Sequence, residues 1–212
     1  MLITPTLHPP ATGHRGLLSW VWPQPVTVLS SAAVGGGLRE ATSMINFGVP
    51  LDYARMDLDV HASEIAKSLG MADDPVALLT AADVSRYQNA EFEGVLVTST
   101  VGVTKPTWAA DRAGGWMDYH PGTINIVVQL PVVLSESALV NAVMTLTEAK
   151  TQALVEFGVP GTGTASDAVA IVCPTARAGH DVEVFAGPRS LWGSRLAIAV
   201  YDSVLKVLRS YS

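Results

Sequence analysis

The stretch that most constrains this chain runs from residue 123 to residue 173, where a strand, a long helix and a second strand follow one another with clear stop signals. Residues 123–133 are β-branched and apolar, as a buried strand requires, and Pro131 marks the strand end or an edge because proline cannot donate to a ladder. Ser135 can cap a helix that reaches Phe157, where Gly158 and Pro160 stop it. At about 100° per residue, Leu139, Val143, Leu146, Leu154 and Phe157 fall on one arc. Residues 168–173 (Ala-Val-Ala-Ile-Val-Cys) read as the second buried strand.

The flanking sequence adds more layers. Residues 57–69 predict a helix with Asp57 as cap and Leu58, Ala62, Ile65 and Leu69 on one face, ending at Gly70. Residues 76–80 predict a strand, and residues 84–92 and 95–103 a hairpin turning at Glu93-Gly94. Residues 26–29 read as a short strand and residues 38–47 as a short helix, with Gly35, Gly36 and Gly37 between them. Residues 182–185 suggest another short strand, and residues 190–208 a last helix with Leu196, Val200, Val204 and Val207 in one stripe. Residues 108–120 form a loop long enough to shape a site. Together these predict an α+β fold, a single domain over residues 17–212 in which a mixed β-sheet with a packed hairpin carries long helices on its faces. Residues 1–16, with three prolines and one charged side chain, are expected to form a loosely ordered arm.

Composition narrows the function classes. Hydrophobic residues make up 49% of the chain and charged ones 15%, against about 25% in an average domain, which excludes intrinsic disorder. Nineteen acidic against 13 basic side chains give a net charge of −6, the wrong sign for a nucleic-acid partner. The longest uncharged run, residues 16–38, is broken by Pro23, Gln24, Pro25 and the three glycines, so no membrane span is expected. Nor is a signal peptide expected from the first residues. Cys173 is the single cysteine and sits in an apolar strand as an inert core residue, which fits a cytoplasmic protein. A homo-oligomer is compatible with all of this.

Phosphate-loop, nucleophile-elbow, zinc-protease and paired-cysteine motifs are absent. Of the five histidines (His8, His14, His61, His120, His180) only His8 and His14 lie close in sequence, so no metal site is assigned and no cofactor is expected. Lys150 falls near the middle of the apolar arc, between Leu146 and Leu154. Such an ammonium must find an anion or snorkel to water. Glu148 lies nearly opposite, on the polar edge with Asn141 and Gln152, where a glutamate is ordinarily solvated. The turn at residues 161–167 brings Thr162, Thr164 and Asp167 to the mouth of an apolar strand, with Asp167 either capping the turn or acting as a general base. Asn125 and Gln129 share a strand face, and Asn46 lies in a short amphipathic segment. Buried amides bond to neighbouring loops or are presented to a ligand.

These segments, in this order, resemble the adenosylcobinamide amidohydrolases of corrinoid salvage. The likeness is densest over GTINIVVQLPVVLSESALVNAVMTLTEAKTQALVEFGVP (122–160) and TGTASDAVAIV (162–172). It extends to SSAAVGGGL (30–38), INFGVP (45–50), LLTAAD (78–83), TVGVTKPTWAAD (100–111) and FAGPRSLWGSRLAIAVYDSV (185–204). Ala165 and Ser166 depart from the family's Gly and Thr, Lys105 stands where Asn is common, and residues 188–191 replace a more polar stretch. The resemblance implies hydrolysis of the amide joining aminopropanol to the corrin ring's propionate arm, giving adenosylcobyric acid for coenzyme B12 synthesis, with the corrinoid as substrate rather than cofactor. On that implication Asp167 is the expected base, Lys150 its partner or the oxyanion stabiliser, Glu148 a reserve base, and Thr164 a hydrogen-bond donor or a hydroxyl nucleophile. Thr162, Asn46, Asn125, the Gly35–Gly37 loop and Trp108 are expected to bind substrate, with Trp108 and Trp116 suiting a wide apolar cleft. A corrinoid carrier or regulator without chemistry is the alternative, and a hydrolase of another amide a third.

Overall fold

The computed structural model describes residues 2–112 and 122–211. A mixed eight-stranded sheet carries three helices in one α+β domain. Its order is β4 (Val76–Thr80), β3 (Gly37–Gly48), β2 (Leu17–Ser30), β9 (Ala168–Pro174), β7 (Thr123–Gln129), β6 (Val95–Gly102) and β5 (Gln88–Phe92). The short β1 (Thr6–His8) pairs with β2 on the flank that β9 uses further along. β3–β4 and β7–β9 are parallel, and the other neighbours in the sheet are antiparallel. A separate parallel pair joins β8 (Val133–Leu134) to β10 (Val182–Glu183).

Helix α2 (Glu136–Phe157) crosses from β7 to β9, its first turn capped by the Ser135 hydroxyl, which accepts from Ala138 N. Gly158 ends it at φ 89°. Helix α3 (Leu191–Arg209) is capped in the same way by Ser190 and packs beside α2, against β5 and β6. Ile124, Ile126 and Val128 of β7 point into this helix-covered core. Helix α1 (Leu58–Ser68) lies elsewhere on the sheet, placing Ala62 and Ile65 against Leu17, Ile45, Phe47 and Ala77.

The other face of the sheet closes on itself. Trp20, Met44, Leu78, Val127 and Val172, from five strands, share one apolar cluster. Three strands separate β4 from β7, which in a flat sheet would hold them about 19 Å apart at 4.8 Å per spacing. Yet Asn125 Nδ2 of β7 donates to Leu79 O of β4 at 3.0 Å and to Asn46 Oδ1 of β3 at 2.9 Å. Asn46 Nδ2 in turn donates to Thr100 Oγ1 of β6 at 3.1 Å. The sheet is therefore strongly curled, and the amides bridge its interior.

Two segments differ from the expectation. Residues 38–47 are not a helix but the body of β3. Paired on both edges, this strand is buried without alternation over its last six residues, 43–48, where polar Ser43 and Asn46 interrupt the apolar side chains, so no period of two shows in the sequence. The short strand expected at residues 26–29 is the second half of β2, whose register breaks between Val21 and Val26, where Pro23 and Pro25 cannot donate. Residues 1–16, expected as a loose arm, include β1, and Ile3 exchanges two hydrogen bonds with the buried Gln129 amide, which also accepts from Trp22 Nε1. No described helix is long and apolar enough to cross a membrane.

Gln129→Leu removes all three of those bonds. It should lower stability by about 2 kcal/mol in a urea titration. An unchanged midpoint would show that the Ile3 contact contributes nothing.

Candidate active site

The β7–β9 register sets Asn125 opposite Ala168, so Ile124 stands beside Asp167. Side chains alternate along a strand. Asn125 faces the curled interior, whereas Ile124 and Asp167 face α2. There Lys150, two turns before the end of α2, meets the carboxylate: Nζ lies 2.6 Å from Oδ2. The ammonium has found an anion instead of reaching water, and side-chain exposures of 9% for Lys150 and 13% for Asp167 leave the pair nearly but not wholly enclosed. The second oxygen is fully engaged. Oδ1 accepts from Thr164 Oγ1 at 2.5 Å, Thr164 N at 3.1 Å and Ile124 N at 3.2 Å. Gly163 makes room for the contact: a Cβ there would stand 2.3 Å from Asp167 Oδ2 and 2.7 Å from Lys150 Nζ. Only a residue without one lets the ion pair rest on this backbone.

The same turn anchors the loop after β6. Thr107 and Gly163 form an isolated antiparallel bridge, with Thr107 N donating to Gly163 O and Thr162 N to Thr107 O, both at 2.8 Å. Thr162 Oγ1 accepts from Ala109 N at 2.9 Å, and Thr151 Oγ1 of α2 donates to Thr162 O at 3.2 Å. Trp108, half exposed, is thus held between two anchored neighbours. The Thr162 hydroxyl works for the loop, and the Thr164 hydroxyl for Asp167. Ser166 Oγ bonds to Gly122 O and Thr123 Oγ1, tying the turn to β7. Gly122 packs between Gly102 O and Thr164 Cγ2. On the far side of Gly102 opens a cleft of about 610 Å³ lined by Leu51, Ala82, Thr104, Phe157 and Tyr211 among others.

The structure therefore brings Asp167, Lys150, Thr164 and Thr162 together, with Trp108 on the adjoining loop. Glu148 is exposed on α2 and does not join them. Asn46 and Asn125 are 2% and 1% exposed and bond to each other in the interior. The glycine loop is linked to β9 through Ser31, which exchanges bonds with Val169. Gly35 packs against Arg39 and Pro75, and Gly36 against Ala32 O, rather than against the ion pair. Burial pushes the Cys173 thiol pKa up, as an inert core position should. Among the described residues no three His, Cys, Asp or Glu side chains group as metal ligands. Trp116 and His120 lie outside the described residues. Sequence reasoning passed over Thr107 and Thr151, whose contacts with the turn follow from tertiary pairing, and the backbone N–H of Ile124, which leaves no sequence signal.

Comparison with known proteins supplies the family. The family model described as adenosylcobinamide amidohydrolase matches residues 7–212. An adenosylcobinamide amidohydrolase of Halobacterium salinarum is 30% identical over 207 residues, 94% of this chain and 87% of the relative. One of Methanosarcina mazei is 28% identical over 181 residues, 82% of this chain and 86% of the relative. A solved structure, the PH0078 protein from Pyrococcus horikoshii OT3, aligns over 97% of this chain and 83% of that one, at TM-score 0.49 and 12% identity. The matched span takes in α2, the Thr162–Asp167 turn and the Thr107 loop, and the chain belongs to the adenosylcobinamide amidohydrolase family.

Proposed function

We propose that this protein hydrolyses the amide joining aminopropanol to the propionate arm of adenosylcobinamide, releasing aminopropanol and adenosylcobyric acid for coenzyme B12 synthesis. Family membership supports the reaction class. The observation that carries the assignment to a site is the Lys150–Asp167 pair beneath the anchored Thr107 loop.

Amide hydrolysis needs an activated water, a partner for the developing oxyanion and a proton for the leaving amine. In this proposal Asp167 Oδ2, which keeps a lone pair beyond its contact with Lys150, takes a proton from water. Three donors on Oδ1 hold the carboxylate in place. The water oxygen bonds to the amide carbon, and the negative charge on the carbonyl oxygen is met by Lys150 Nζ. The carbon–nitrogen bond then breaks, the proton on Asp167 passes to the departing nitrogen, and the products are a carboxylic acid and an amine. Water supplies the atoms added to both. The neighbouring 610 Å³ cleft suits the bulky, partly apolar remainder of the substrate.

Asp167→Asn keeps the size of the side chain but cannot take the proton, and its one acceptor oxygen can serve either Lys150 or the three donors on Oδ1, not both. Its kcat for aminopropanol release, followed by mass spectrometry, should fall at least about 100-fold while a thermal melt still shows a folded protein. Turnover near the wild-type level would remove Asp167 from the mechanism. A corrinoid spectral change in the wild-type protein without aminopropanol release would make it a carrier instead.

Thr164→Val keeps the backbone donor and loses the hydroxyl, so kcat should drop only about tenfold, by less positioning of Asp167. Complete loss in a folded variant would make Thr164 Oγ1 the nucleophile. Gly163→Ala should abolish turnover through steric separation of the ion pair, which near-normal kcat would contradict.

A further inference from the structure

In an antiparallel pair, residues directly opposite carry their Cβ atoms on one face, about 4.5–5.5 Å apart. Thr107 is opposite Gly163. The point where a Gly163 Cβ would stand is next to Asp167 Oδ2 and Lys150 Nζ. The Thr107 side chain therefore leaves the loop on the face that holds the ion pair. The bridge is made by the N–H and carbonyl of Thr107, not by its hydroxyl. The pair is largely buried, whereas Thr107 is exposed, so the bridge sets a solvent-facing residue beside it.

From this juxtaposition, and resting on the amide-hydrolase assignment above, we infer that the Thr107 hydroxyl is a further catalytic group, donating a hydrogen bond to the oxygen of the scissile amide opposite Lys150. The carbonyl oxygen then lies between an ammonium on α2 and a hydroxyl on the loop. The ammonium is held in advance by Asp167, and the backbone that carries the hydroxyl by the bridge to Gly163. Thr107 forms no covalent bond with substrate and gains or loses no proton. The interaction strengthens as negative charge develops on the oxygen, which places its effect on kcat. Loss of one such donor ordinarily costs about 100- to 1,000-fold.

The test uses the full-length protein with adenosylcobinamide and compares wild type, Thr107→Val and Thr107→Ser. Valine keeps the β-branched shape and the backbone bridge without the hydroxyl, and serine keeps the hydroxyl without the methyl. Thr107→Val should lower kcat about 100-fold with KM within about threefold, and Thr107→Ser should recover kcat to within about tenfold of wild type. A kcat for Thr107→Val within about threefold of wild type overturns the inference while leaving the hydrolase assignment standing. Equal losses in both variants, or a loss accompanied by a Tm drop of more than about 5 °C, assign the residue to loop anchoring and also overturn it. A wild-type protein that releases no aminopropanol sinks the hydrolase assignment, and this inference with it.

Discussion

A single desolvated contact, the ammonium of Lys150 against the carboxylate of Asp167, sets the terms for the region around it. Removing one partner of such a pair strands a buried charge and costs about 3–5 kcal/mol. The surroundings are arranged to prevent that. The chain supplies three further donors to the carboxylate and places a glycine where any side chain would force the two charges apart. Parallel pairing of β7 with β9 brings Ile124 N to Asp167, and the crossover helix between those strands carries Lys150. The ion pair is thus specified by one β–α–β unit, with helix, strand and turn all supplying contacts.

Much of that unit is visible in the sequence because its signals are local. Ser135, Gly158 and the apolar arc delimit α2, and Glu93-Gly94 marks the hairpin, where both residues adopt positive φ. Lys150 and Asp167 each call for a partner, one as a cation on an apolar arc and the other as an acid at the mouth of an apolar strand. Nothing local says that each answers the other. Where neighbours in space decide the conformation, the sequence misleads. Residues 38–47 carry helix-compatible residues but are enclosed by β2 and β4. The Trp-Pro-Gln-Pro stretch hides the continuity of β2, which resumes its pairing at Val26.

The candidate site shows the same division. The pattern of glycine, threonine and aspartate in residues 161–167 announces a tight turn with acceptors and donors. That the turn also anchors a loop more than fifty residues earlier in the chain depends on the Thr107–Gly163 bridge, which has no periodicity to betray it. Asn46 and Asn125 illustrate the converse. Both amides look available for a ligand in sequence, yet curling of the sheet brings them into mutual contact. Polar residues in a strand are read correctly only when it is known which other strands the curvature brings over them. The ion pair and its donors therefore lie on the helix-covered face, while the buried amides bridge strands on the other.

If Lys150 and Asp167 act as one unit on the amide, their removal cannot be independent. A double-mutant cycle in kcat/KM with Lys150→Met, Asp167→Asn and the combined variant tests this directly, with thermal melts confirming that each protein is folded. The double variant should be no more than about threefold worse than the more damaged single variant. Losses that multiply, each variant costing as much in the presence of the other as in its absence, would contradict a shared role.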